Sequence, residues 1–151
     1  MEQKPCWISH RGYTKDYCEN TLQAFCAARS AGFSFLETDL RISRDGKVIL
    51  CHDLSFTRLN GPTTPVHQML SADIRSITLK GNTHPMLLDE LLNELNDCRW
   101  IFDIKEDHAE ATINSMIETL KKKSLIAWAK TNLWFLLWSK KSEKILKSKL
   151  P

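Results

Sequence analysis

Short apolar runs alternate along this chain with stretches of helical period, the pattern of β-α-β construction around a largely parallel sheet. The runs Cys6–Ser9, Phe33–Ile42, Arg99–Lys105 and Leu133–Trp138 read as strands. The last is apolar at every position, which predicts a strand buried on both faces. A helix is expected from Asn20 as N-cap, with Leu22, Phe25, Cys26 and Arg29 at helical spacing and Gly32 as its stop signal. Further helices are expected over Leu87–Asn96, Ala109–Lys122 and Lys141–Leu150. Asp45-Gly46 sits between the second strand and Lys47–His52 and signals a two-residue hairpin turn. Residues 54–85, rich in Thr, Pro and Gly, read as an excursion from the sheet. The expected architecture is α/β, with four β-α units and a hairpin and small insertion after the second strand.

The alternation within two strands carries the chemistry. Side chains on a strand change face at every residue, so Phe33, Phe35, Glu37, Asp39 and Arg41 share one face while Leu36 and Leu40 take the other. Pairing outward from a two-residue turn sets Asp39 opposite His52. In the third strand Ile101, Asp103 and Lys105 share a face. Active sites of barrels built this way lie at the C-terminal ends of the strands, where His10, Glu37, Asp39, Asp103 and Lys105 all fall. Three carboxylates converging there raise one another's pKa unless a counter-charge is present. An all-oxygen donor set suits Mg²⁺ or Ca²⁺, and the lack of a Cys/His cluster argues against Zn²⁺. His10 and His52 beside such an ion would serve as acid and base, and Arg11 and Lys105 would face an anionic substrate. That combination points to phosphoryl chemistry. His67, His84 and His108 lack such company and read as loop residues.

Composition narrows the class. Of 151 residues, 42% are hydrophobic and 26% charged, which excludes a disordered, collagenous or disulfide-scaffold protein. The longest apolar run is far short of the roughly 20 residues that cross a bilayer, and the first residues lack the apolar stretch of a secretory signal. Five widely spaced cysteines without a C-x-x-C pair read as reduced thiols, and a cytoplasmic location is expected. Net charge is +3, but residues 121–151 hold nine Lys and one Glu, for a local +8. This basic C-terminal segment offers weak contact with an anionic lipid surface. It has no aromatic interleaving of the kind that stacks bases, so no nucleic-acid partner is expected.

In the order His10-Arg11-Gly12, Glu19-Asn20-Thr21, Glu37-Thr38-Asp39, Asp45-Gly46 with Val48, His52-Asp53, Leu88-Asp89-Glu90-Leu91-Leu92 and Asp103-Ile104-Lys105, the chain resembles the glycerophosphodiester phosphodiesterases. The resemblance covers residues 6–105; beyond them only the strand and helix rhythm follows the family. It implies a TIM-type (β/α) barrel, a metal held by Glu37, Asp39 and Asp103, His10 and His52 as the acid/base pair, and residues 54–85 as a lobe capping the site. The implied reaction cleaves a small glycerophosphodiester to an alcohol and glycerol 3-phosphate. The chain departs from the family's pattern with Cys18 in place of a Pro and with Asp103 in place of the more usual Glu, a change shared with sphingomyelinase D-like phospholipases. An eight-unit barrel needs about 250 residues, so residues 1–151 read as a partial domain. A half-barrel with open edges is also expected to self-associate, and the alternative readings are a catalytically weak or inactive remnant or association module, or a sphingomyelinase D-like phospholipase.

Overall fold

The computed structural model describes residues 6–150, and the apolar runs come together in one five-stranded sheet. Strands β1 (Ser9–His10), β2 (Phe35–Ile42), β4 (Arg99–Ile104) and β5 (Leu133–Leu136) lie side by side in parallel. Strand β3 (Val48–Leu50) pairs antiparallel with the end of β2, on the edge that β1 occupies nearer its start. The helices are α1 (Leu22–Ser30), α2 (Ser71–Arg75), α3 (Leu88–Glu94), α4 (Ala109–Lys122), α5 (Ile126–Asn132) and α6 (Lys140–Lys149).

Helices cover one face of the sheet. Leu36, Leu40, Trp100, Phe102 and Ile104 point outward into a core shared with Phe25, Ala28, Leu91, Leu92, Met116 and Leu120. Trp100 is fully buried; it meets Phe25 edge-on at 5.0 Å and gives its indole N–H to the Leu95 carbonyl at 3.1 Å. Helix α4 buries Thr112, Ile113, Met116, Ile117 and Leu120, the three- and four-residue spacing of an apolar stripe. A second, smaller cluster of Ile49, Cys51, Phe56, Val66, Ile74 and Leu79 sits under residues 54–85, so that segment has apolar support of its own. Among the described residues no helix is long and apolar enough to cross a membrane. Cys6, Cys18, Cys26, Cys51 and Cys98 are free thiols.

The structure differs from expectation at six points. The first strand is Ser9–His10 rather than Cys6–Ser9, because β2 starts only at Phe35 and Ser9 is the first residue with a neighbour to pair with. The cap of α1 is Thr21, whose hydroxyl accepts from Ala24 N; Asn20 lies before it in the left-handed region with its side chain turned elsewhere. The hairpin has a three-residue loop, Arg44-Asp45-Gly46, closed by Ser43 N–H to the Lys47 carbonyl and by Gly46 N–H to the Ser43 carbonyl. Gly46 takes the positive φ of 76° that such a loop needs at its third position, so the same Asp-Gly pair serves a longer turn. The register therefore slips by one, and Cys51 rather than His52 lies opposite Asp39, with Cys51 N–H donating to the Asp39 carbonyl. Strand β5 is not buried on both faces, since Trp134 and Leu136 are 45% and 47% exposed on the inner side. Finally, α5 fills a stretch from which no element was expected, entered through Ser124 at φ 58°.

Candidate active site

Parallel strands in register carry their side chains in phase, and here the phase gathers charge. His10 pairs with Glu37 across β1–β2, and Asp39 with Asp103 across β2–β4, all on the face away from the helices. Glu37, Asp39 and Asp103 are each at least nine-tenths buried and offer oxygens within 4.8 Å of one another. Lys105 Nζ lies 2.7 Å from Asp103 Oδ2 and 2.8 Å from Asp39 Oδ1. Arg11 Nε lies 3.0 Å from Asp39 Oδ2, and its Nη1 is 3.2 Å from Glu19 Oε1.

With all three carboxyl groups ionised, Arg11 and Lys105 leave one negative charge in this buried cluster. Burial first, and the adjacent Asp39 charge second, push the Glu37 carboxyl up to about 7. Lys105 Nζ is the ion-pair partner of Asp39 Oδ1 at 2.8 Å, and Arg11 Nε that of Asp39 Oδ2 at 3.0 Å. A converging, buried all-oxygen set whose carboxyl groups outnumber the cations beside them fits a hard divalent cation.

The histidines stand at the edge of this cluster. The exposed His10 ring has Nε2 3.7 Å from Glu37 Oε2, beyond hydrogen-bond range. Partial burial, then the Arg11 charge, lower its pKa. His52 is placed by two other groups, since the strand register does not do it. Arg41, on the inner face of β2, donates from Nε and Nη2 to the His52 carbonyl at 3.0 and 2.7 Å, and its Nη1 reaches Asp107. On the ring, Nδ1 lies 2.8 Å from Asp53 Oδ1. An ionised carboxylate only accepts, so Nδ1 carries the proton and Nε2 is the nitrogen left for transfer.

Four side chains that the strand pattern did not single out complete the rim. Asn20 donates to Asp39 Oδ2 at 3.0 Å and accepts from the Thr38 hydroxyl at 2.8 Å, which explains why it does not cap α1. Arg58, from the excursion, forks between Asp53 Oδ2 at 2.7 Å and both oxygens of Glu19 at 2.7 and 3.0 Å. Glu19 in turn holds Arg11. Trp138 donates its indole N–H to Asp103 Oδ1 at 2.7 Å. Asn20 and Glu19 lie inside the Glu-Asn-Thr triplet, but no local signal marks Arg58 or Trp138. His67 and His108, read as isolated loop residues, stack with ring centres 4.5 Å apart, and His84 Nδ1 meets the Ile77 carbonyl.

Comparison with known proteins gives a consistent picture. The model of the glycerophosphoryl diester phosphodiesterase family matches residues 10–146. A Mycobacterium tuberculosis protein named probable glycerophosphodiester phosphodiesterase 2 is 34% identical over 109 residues, which span 71% of this chain and 41% of that protein. A mouse lysophospholipase D is 26% identical over 140 residues, with 83% of this chain and 45% of its own length covered. The chain thus spans less than half the length of these two curated relatives. Among solved structures, an Oleispira antarctica phosphodiesterase in complex with the product sn-glycerol-3-phosphate superposes with a TM-score of 0.83 at 23% identity, over 95% of this chain and 62% of that one. A Thermotoga maritima glycerophosphodiester phosphodiesterase gives 0.72 at 25% identity, over 100% of this chain and 73% of that one.

Proposed function

The chain belongs to the glycerophosphoryl diester phosphodiesterase family, and from that premise we propose that its sheet-end cluster is the hydrolytic centre for a glycerophosphodiester. Glu37, Asp39 and Asp103, whose oxygens converge, would hold Mg²⁺ or Ca²⁺. When bound, the ion supplies Lewis-acid stabilisation of charge on the phosphate oxygens. Lys105 balances Asp39 and Asp103, which keeps the cluster from rejecting an anionic ligand. Arg11, braced by Asp39 and Glu19, adds fixed positive charge toward the phosphate. One of His10 and His52 removes a proton from the attacking water as the new P–O bond forms. The other protonates the alkoxide as the old P–O bond breaks, so the products are an alcohol and glycerol 3-phosphate. The observation that carries this reading is the convergence of the three buried carboxylates beside an ion-paired lysine.

The test is coupled detection of glycerol 3-phosphate released from glycerophosphocholine in the presence of Mg²⁺ or Ca²⁺. His10→Ala and His52→Ala should each lower the rate by about 10²–10⁴-fold, and chelation should abolish it. Full activity in either histidine variant defeats the assignment. A second reading draws on the half-exposed Trp134 and Leu136 of the inner sheet face: that this face is covered by association with another copy of the chain, which solution mass would reveal as a dimer.

A further inference from the structure

Trp138 lies two residues beyond the end of β5, and its indole N–H meets Asp103 Oδ1 at 2.7 Å. It is 67% exposed and belongs to neither apolar cluster. Its ring thus stands over the rim of the acidic group, with the hydrogen bond to Asp103 as its tie to the fold. On the other side of the same carboxylate, Asp103 Oδ2 accepts from Lys105 at 2.7 Å.

The two donors do different work. Lys105 orients Asp103 and also neutralises it, and it shares its charge with Asp39. The indole N–H is neutral, so it orients Asp103 and leaves the negative charge in place. A carboxylate turns easily about its terminal torsion. Without a second donor, Asp103 is free to bring both oxygens onto the Lys105 ammonium. With one donor on each oxygen, each keeps a lone pair for a cation. We infer that Trp138 is a positioning residue for the cation site, holding Asp103 out of a two-oxygen pairing with Lys105. The inference rests on the reading of Glu37, Asp39 and Asp103 as a cation site.

Mn²⁺, a hard ion for which carboxylate oxygens are suitable donors, is the probe. It is titrated into the wild-type chain and Trp138→Phe, with the free ion counted by electron paramagnetic resonance. Loss of one hydrogen bond predicts uptake about fivefold weaker in Trp138→Phe. The difference between the two tryptophan emission spectra isolates the Trp138 signal, which should move as Mn²⁺ or Ca²⁺ binds and stay still in Asp103→Asn. Equal Mn²⁺ affinity in the two chains, or a Trp138 emission indifferent to the ion, overturns the inference while leaving the cation site standing. Failure of the wild-type chain to take up Mn²⁺ removes the site itself and the inference with it.

Discussion

The sheet-end cluster and the excursion over residues 54–85 both hold charged side chains in networks, yet they are held by different forces. At the sheet end Asp39 and Asp103 are almost fully buried, and strand register decides their neighbours. In the excursion Arg58 is half exposed and reaches Glu19 and Asp53 from a surface turn. Charges in a low-dielectric setting interact strongly and cannot be left unpaired, whereas exposed pairs are screened and contribute about 0–1 kcal/mol. The first region should therefore report a lost partner as lost stability. The second should report it mainly as lost alignment.

The largest expected effect follows from removing the buried cation. Lys105→Met leaves Asp39 and Asp103 facing each other without their shared ammonium, and breaking a buried pair in this way costs about 3–5 kcal/mol. Urea denaturation in chelator should show that loss, and saturating Ca²⁺ should restore a good part of it by binding the folded state. A loss under about 1 kcal/mol in chelator would place the cluster in a wetter setting and erase the contrast.

Next comes pH. The Glu37 carboxyl is raised to about 7 in the folded chain, by burial before the Asp39 charge, against an ordinary value of 4.5. The folded state therefore holds this proton more tightly than the unfolded state. Its contribution is complete below pH 4.5 and is lost as pH rises through 7, at most about 3 kcal/mol in all. In chelator, stability should fall between about pH 4.5 and 7 and level off above that. Glu37→Gln should remove that fall, and Ca²⁺ should flatten it. An unchanged slope in Glu37→Gln would assign the pH dependence elsewhere.

Why the two regions differ in legibility follows from the same physics. The common face of Glu37, Asp39 and Asp103 is a matter of period two within strands and of phase between parallel neighbours, both local enough to read from residue order. The hairpin was less tractable, because Asp45-Gly46 suits a two-residue and a three-residue loop alike, and one added residue turns a strand over. Asn20 has the chemistry of a cap, but the buried Asp39 carboxylate claims its amide. Arg58 and Trp138 meet their partners through folded geometry, the latter 35 residues from Asp103. Nothing in their own neighbourhood along the chain announces it. The parallel sheet, matched by solved structures of the family, is legible in residue order; the late start of β1 and the one-residue slip at β3 are not.

The smallest stability effect and the sharpest test of the contrast lie in Arg58. Its guanidinium joins Asp53, which holds the His52 ring, to Glu19, which holds Arg11. Arg58→Gln should shift the unfolding free energy by less than about 1 kcal/mol, because the guanidinium is half exposed and Glu19 keeps Arg11 as a partner. It should nevertheless slow release of glycerol 3-phosphate by about tenfold, since misplacing reacting groups by a fraction of an ångström is felt in the rate. Arg58→Lys keeps the charge but not the planar fork. A point charge cannot bond Asp53 and both Glu19 oxygens at once, so this variant should recover only part of the rate. Equal stability with a depressed rate in both variants marks the excursion as an aligning clamp. A stability loss as large as that of Lys105→Met would instead place Arg58 in the same energetic class as the buried cluster, and the division between the two regions would fall.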